Sequence, residues 1–356
     1  PDIAVILFTS GSESHPKSVP LTHRNLLSNL FDVYDCFTLY DTDSLLGILP
    51  PFHSFGLSTS VLLPLTLGLQ AVYWPNPTDS AAIGQMIDAY GARILAGTPT
   101  FLHGIVRAST MEQLRTLRLV VSGAEKCSDR VYEALRKRCP NTVILEGYGA
   151  TECSPIISVN PEDDPKSGTI GKVLPSFEYA IVDPDWNERT EDENHHGLDV
   201  ALSTCRMPDN QAGMLLVRGP SVFGGYLNKE ASSPFVRFEG KSWYCTGDLV
   251  REDEQGVLTF AGRRKRFVKI GGEMISLPAI EEVLNEKLLK EDDEGPILAV
   301  AETPQEESPE IVLFTVCPVE REQANNWIHQ AGLSSLHNIG RVIELEEENY
   351  FFRLSK

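Results

Sequence analysis

Ten consecutive residues, Thr9-Ser10-Gly11-Ser12-Glu13-Ser14-His15-Pro16-Lys17-Ser18, combine hydroxyl side chains with one glycine and one lysine. Hydroxyl and N–H donors beside an ammonium suit a loop that wraps phosphate oxygens, with Gly11 allowing close backbone approach. The segment does not follow GxxxxGK[ST], so a Walker-type site is not supported; by itself it is equally a Ser-rich turn. Glu146-Gly147-Tyr148-Gly149-Ala150-Thr151-Glu152 offers an aromatic ring to stack on a purine, a hydroxyl for a phosphate oxygen, and a carboxylate suited to Mg²⁺. Tyr244-Cys245-Thr246-Gly247-Asp248, followed by Gly262-Arg263, offers a carboxylate that can accept from two hydroxyls and a guanidinium fork. Each could instead be a turn with a solvated acid.

The elements that must hold these residues are legible as pattern. From Ile3 to Gly147, apolar runs at Ile3–Thr9, Leu45–Leu49, Gln70–Trp74, Ala92–Ala96, Leu117–Ser122 and Thr142–Leu145 alternate with helix-like segments at Thr22–Phe37, Ser80–Tyr90, Pro99–Ala108 and Ser128–Arg138. That is the pattern of βαβ units around a mostly parallel sheet with flanking helices. After Tyr148 short alternating runs (Tyr179–Val182, Met214–Val217, Trp243–Cys245, Gly256–Phe260) predict a β-rich subdomain, with the acidic insert Trp186–Asn210 as a surface loop. The basic cluster Arg263-Arg264-Lys265-Arg266 leads through Phe267–Ile270 to a helix from Pro278, and strands at Ile297–Ala301, Ile311–Val316 and Arg341–Leu345 with a helix over Arg321–Gln330 predict a small C-terminal α+β domain. The expected domains are 1–154, 155–262 and 263–356.

Composition narrows the function. With 356 residues, 42% hydrophobic and 23% charged, the chain can bury a sizeable core without disulfides. Its formal net charge of −19 argues against nucleic acid and anionic membrane as partners. Seven scattered cysteines without a CxxC pair predict reduced thiols and a cytoplasmic location. Ser44–Thr78 contains no Asp, Glu, Lys or Arg, yet Pro50, Pro51, Pro64, Pro75 and Pro77 break it up, predicting buried core rather than a membrane span. The chain opens at Pro1 without Met, which predicts a fragment or processed product.

The first segment resembles the T-S-G-[ST]-[TE]-G-x-P-K-G signature of the adenylate-forming (AMP-binding) superfamily, with Ser14 and Ser18 where that family has glycine. The second resembles its Y-G-x-T-E motif, and the third its [YF]-x-T-G-D and G-R elements. The resemblance implies an acetyl-CoA synthetase-like fold, here N-terminally truncated, that uses ATP and Mg²⁺. It implies nucleotide binding by Thr9, Ser10, Gly11, Ser12, Lys17, Tyr148, Gly149, Asp248 and Arg263, with Thr151 at the α-phosphate and Glu152 holding the metal. Ser122-Gly123-Ala124-Glu125-Lys126 resembles the run that brackets adenine and the acyl carboxylate, assigning Gly123, Ala124 and Glu125 to the nucleotide. Pro51-Phe52-His53-Ser54-Phe55-Gly56 resembles the element whose His gates the acyl pocket, which implies substrate roles for His53 and Gly147; the bland alternative for His53 is a satisfied core histidine. Gly271-Gly272-Glu273 resembles the loop lining the pantetheine tunnel, or is a β-turn. Lys265 falls at the family's hinge. The family's C-terminal catalytic lysine has no clean match, leaving Lys356 as a candidate or as a solvated terminal residue.

The wording ILFTSGSE, ILPPFHSFGL and RFVKIGGEMISL is most similar to the acyl-acyl carrier protein synthetase branch found in bacterial lysophospholipid acyltransferases. That implies activation of a fatty acid to acyl-AMP and transfer to the pantetheine thiol of acyl carrier protein or CoA, with inner-membrane association only through a partner domain. Arg263, Arg264, Lys265, Arg266 and Lys269 would offer an acidic carrier a landing site, or form a solvated linker. Cys153 reads as a small buried residue rather than a nucleophile. Two other classes stay open: a nucleotide-binding homologue without turnover, and a carrier-docking module.

Overall fold

The computed structural model describes residues 2–9, 16–184, 207, 210–228, 230–270, 273–289, 297–303 and 310–345. Their contacts divide the chain into two compact units, Pro1–Ala261 and Gly262–Lys356.

The first unit is built on a seven-stranded sheet of β3 (Ser44–Gly47), β4 (Gln70–Tyr73), β5 (Ile94–Gly97), β6 (Leu119–Ser122), β7 (Val143–Gly149), β8 (Ile156–Val159) and β9 (Lys172–Val173) in the order β4-β3-β5-β6-β7-β8-β9. The strands from β4 to β7 run parallel, and the sheet turns antiparallel from β7 onward. Successive side chains on a strand point to opposite faces, and the core follows that alternation. Leu45, Ile94, Leu119 and Leu145 pack against Leu26, Leu30 and Val33 of helix His23–Cys36 on one face. Leu46, Leu95, Val120 and Ile144 pack on the other face against helices Ser80–Tyr90, Pro99–Ala108 and Asp129–Arg138. The helices start where the sequence supplies caps: Thr22 forms a capping box with Asn25, Asp79 accepts from Ala82 N–H, and Thr98 precedes Pro99.

One expected strand lies elsewhere. Ile3–Thr9 (β1) is not a member of the parallel sheet but pairs antiparallel with Lys17–Thr22 (β2), placing Thr9 opposite Lys17. The residues of β2 did not read as a strand because Pro20 removes a ladder donor, which confines such a segment to a short edge pairing. The uncharged stretch between Asp43 and Asp79 is β3, a helical run over residues 54–67 and β4. Among the described residues no helix is long and apolar enough to cross a membrane.

The remaining strands of this unit, β10 (Glu178–Val182), β11 (Gly213–Arg218), β12 (Phe235–Phe238), β13 (Lys241–Glu252) and β14 (Leu258–Arg263), form a second sheet in the order β10-β11-β13-β12 with β14 beside β13. The Trp186–Asn210 insert lies outside the described residues except Met207 and Asn210, whose N–H groups bond the carbonyls of Ile181 and Glu252.

The second unit has a hairpin of β15 (Phe267–Ile270) and β16 (Glu273–Ser276), and helix Leu277–Leu288 capped by Ser276. Its three-stranded sheet, β17 (Leu298–Glu302), β18 (Ile311–Thr315) and β19 (Arg341–Glu344), is accompanied by helix Arg321–Gln330. Val268, Ile280, Leu284, Val300, Leu313 and Ile328 form its core. Arg266 is committed inside this unit, with Nη1 donating to Val300 O (3.1 Å) and Nη2 to Glu281. It is therefore not a cation standing in a solvated linker.

Candidate active site

Open α/β sheets present ligands at the carboxyl ends of their parallel strands. Here that edge carries three of the sequence motifs. Gly123, just past β6, receives no side chain between the backbone and Phe55: a Cβ there would lie 3.2 Å from the Phe55 ring and 3.4 Å from Gly147 O. So the 51–56 element, the 122–126 run and the 146–152 motif meet at one place. Gly149 is required more strictly, because a Cβ would fall 2.1 Å from Pro155 O, where Ala150 N–H already donates (2.9 Å). Ala124 takes a positive φ of 69°.

Tyr148 and Asp248 meet directly. The Tyr148 hydroxyl donates to Asp248 Oδ2 at 2.6 Å, joining β7 to β13 across 100 residues of chain. Asp248 is 6% exposed, and its N–H donates to Thr246 Oγ1 (3.1 Å), whose hydroxyl is held on Leu215 O (2.9 Å). Gly247 makes the bend between them at φ 75°. Burial first, and then the Asp248 carboxylate, raise the Tyr148 hydroxyl pKa well above the ordinary phenol value. Burial also pushes the neighbouring Glu146 carboxyl up, against the opposing donation from Gly168 N–H at 2.9 Å.

Glu152 sits in the single turn Thr151–Cys153 and is 8% exposed. Its Oε1 accepts from the Tyr226 hydroxyl at 2.8 Å, and its backbone carbonyl from Phe223 N–H at 2.8 Å. Lys17 Nζ lies 5.1 Å from the centroid of the same Tyr226 ring, a cation–π arrangement. Thus the end of the first segment reaches Glu152 through one tyrosine. Thr151 Oγ1 is 3.1 Å from Ser54 Oγ, next to His53.

Other expected residues stand apart. Glu125 is exposed and accepts from Thr100 Oγ1 (2.8 Å). His53 is exposed, its ring centroid 4.7 Å from that of Phe52, which disposes of the core-histidine alternative. Cys153 is fully buried, and burial raises its thiol pKa well above the usual range, as fits a packing residue rather than a nucleophile. Arg263 ends β14, and Lys265 lies in the one-turn helix Arg264–Arg266 of the second unit. Ser10, Gly11, Ser12, Gly271, Gly272 and Lys356 lie outside the described residues.

The donors suit a hard divalent cation held lightly. Among the described residues no group of three or more His, Cys, Asp or Glu side chains could enclose a metal. Mg²⁺ is ordinarily bound through one or two carboxylates plus substrate phosphates, which is the role the Glu152 carboxylate beside Thr151 fits. Sequence reading missed Ser54, Tyr226 and Asn228. The only signal for the last two is Gly224-Gly225 ahead of an aromatic and an amide in an otherwise unpatterned segment.

A family model described as AMP-binding enzyme matches residues 1–227. The chain is 32% identical over 289 residues to a long-chain-fatty-acid–CoA ligase of Escherichia coli O6:H1, covering 80% of this chain and 48% of that protein. It is 28% identical over 295 residues to 4-coumarate–CoA ligase 1 of Solanum tuberosum, covering 80% and 50%. The crystal structure of ATP-bound MatB from Rhodopseudomonas palustris matches with a TM-score of 0.79 at 26% identity, covering 97% of this chain and 64% of that one. The chain thus spans about half the length of the curated relatives it matches.

Proposed function

The chain belongs to the AMP-binding enzyme family, and from that premise we propose that it activates a fatty acid with ATP, forming acyl-AMP and pyrophosphate, and passes the acyl group to a pantetheine thiol. The observation that carries the reading is the 2.6 Å contact between Tyr148 and Asp248, which brings the second and third motifs to one point. The fatty-acid substrate rests on similarity to long-chain-fatty-acid–CoA ligases.

A carboxylate resists a thiol because its leaving group would be oxide; adenylation replaces oxide with AMP. Catalysis is then positioning of the carboxylate in line with the α-phosphorus and stabilisation of the charge that develops there. In this reading Asp248 accepts the ribose hydroxyls, and the Tyr148 ring lies along the base. Thr151 and the 9–17 segment donate to phosphate oxygens, and Glu152 holds Mg²⁺. The metal, when bound, supplies charge neutralisation at the departing pyrophosphate. Lys265, just past the boundary of the two units, serves as the hinge.

The finer reading, taken from motif wording, is that the acceptor is acyl carrier protein rather than CoA and that the product feeds lysophospholipid acylation. Fatty-acid-dependent pyrophosphate release, measured over a range of acyl lengths and then with CoA or carrier protein as acceptor, tests both levels. ATP binding without release would reject the ligase for a binding homologue. Binding of carrier protein but not of ATP would leave a docking module.

A further inference from the structure

The segment Phe223–Asn228 touches the site from two sides. On one side Phe223 N–H donates to the Glu152 carbonyl (2.8 Å) and the Tyr226 hydroxyl to Glu152 Oε1 (2.8 Å). On the other, Leu227 N–H donates to Ser18 O (3.1 Å), Ser18 N–H to Asn228 Oδ1 (2.6 Å), and Asn228 Nδ2 to Pro16 O (3.4 Å). Between the two sets the Tyr226 ring receives the Lys17 ammonium at 5.1 Å. Phe223 anchors the strap: it is 2% exposed, 5.0 Å centroid to centroid from Tyr226, and stacked on Phe235 at 5.7 Å.

A carboxylate offers two oxygens to a cation, and which of them is free, and where it points, depends on what holds the other. Tyr226 fixes Oε1 of Glu152 with a hydrogen bond while Asn228 fixes the backbone on either side of Lys17. We infer that Tyr226 and Asn228 are positioning residues that hold the Glu152 carboxylate and the Lys17 ammonium in fixed mutual register, so that the metal and the phosphates of a nucleotide are met together rather than one after the other. This rests on the site reading proposed above.

The test separates the hydroxyl of Tyr226 from its ring. ATP binding to the 356-residue chain is measured by calorimetry with and without Mg²⁺ for the unaltered protein, Tyr226→Phe, Tyr226→Leu and Asn228→Ala, with thermal unfolding recorded for each. Tyr226→Phe keeps the ring under Lys17 and removes only the donor to Glu152. It should lower the Mg²⁺-dependent gain in ATP affinity about tenfold, the usual cost of losing an outer partner of a metal ligand, and leave Mg²⁺-free binding unchanged. In a Glu152→Gln background the same substitution should have no further effect on that gain. Tyr226→Leu should weaken Mg²⁺-free binding as well, and Asn228→Ala should speed hydrogen exchange at the Ser18 amide. If Tyr226→Phe alters both binding modes alike, or neither, the positioning role is overturned while the nucleotide site stands. If the unaltered chain binds no ATP in either condition, the site reading fails and the inference falls with it.

Discussion

The two ends of the same parallel strands treat charge in opposite ways. At the amino ends of β3, β5 and β6 sit Asp43, Arg93 and Arg118. The Asp43 carboxylate, wholly buried, accepts from Arg93 Nε (2.9 Å) and Arg118 Nη2 (2.8 Å). Arg118 also binds Glu162 (2.6 Å) and Thr38 O (2.8 Å), and its guanidinium lies 5.1 Å from the Tyr40 centroid. Burial alone would raise the Asp43 pKa, but Arg118, the Tyr40 N–H and Arg93 outweigh it and hold the carboxyl below the usual range. At the carboxyl ends the acids and phenols go the other way: burial raises both Glu146 and Tyr148. One end neutralises its own charges. The other keeps groups whose ionisation burial perturbs without a buried cation beside them, which is the condition expected of a site rather than of a brace.

The largest effect expected is at the brace. Asp43→Ala leaves Arg118 without its buried partner and should cost about 3 kcal/mol of stability, the low end for a broken buried pair because Arg93 keeps solvent contact. Chemical denaturation measures it, and a loss below about 0.5 kcal/mol, the level of an exposed pair, would erase the contrast. Next is Asp248→Asn, which under the proposed ribose role weakens acceptance from two hydroxyls. It should reduce ATP affinity roughly 10- to 100-fold, the worth of a charge-assisted hydrogen bond, with little change in unfolding midpoint.

A pH titration of stability sharpens the comparison further. The folded pKa of Asp43 lies below its unfolded value, so its contribution is complete above about pH 4 and drains as pH falls through the folded pKa. Glu146 has a raised folded pKa, so its buried charge penalises the fold at neutral pH and the penalty lifts as pH falls through that value. Asp43→Ala should therefore flatten the acid limb of the stability curve, and Glu146→Gln should leave that limb in place while raising the neutral plateau. Identical curves for the two variants would show that the ends do not differ in kind. The smallest effect is Tyr148→Phe, which removes one neutral donor to Asp248. About 1.5 kcal/mol, the low end for a hydrogen bond to a charged group and roughly tenfold in ATP affinity, should be lost in a binding titration.

Motif chemistry made much of this site legible. Tyr148, Glu152 and Asp248 stand out through the order of segments that resemble the family's motifs, since an acid after Thr-Gly is by itself a turn residue, and the structure joins the first to the last. The parallel strands read correctly because burial on both faces makes them continuous apolar runs, as in Leu119-Val120-Val121. Two things were not legible. β2 turns only Val19 and Leu21 inward around Pro20, a period-2 run too short to mark a strand. Tyr226 and Asn228 act on partners 74 and 210 residues away, and no local pattern encodes a partner at that separation.

By itself, then, the amino-acid order determined most of the segments that form strands and helices, which face of each is apolar, and which side chains could do phosphate chemistry, because those properties arise from neighbours within a few residues. Only the tertiary structure decided that Tyr148 meets Asp248, that Lys17 rests on the ring whose hydroxyl holds Glu152, and that Arg266 is tied inside its own unit. Such contacts depend on how sheets and loops close over long separations, and a hydrogen bond is formed by distance and angle, which sequence spacing does not fix.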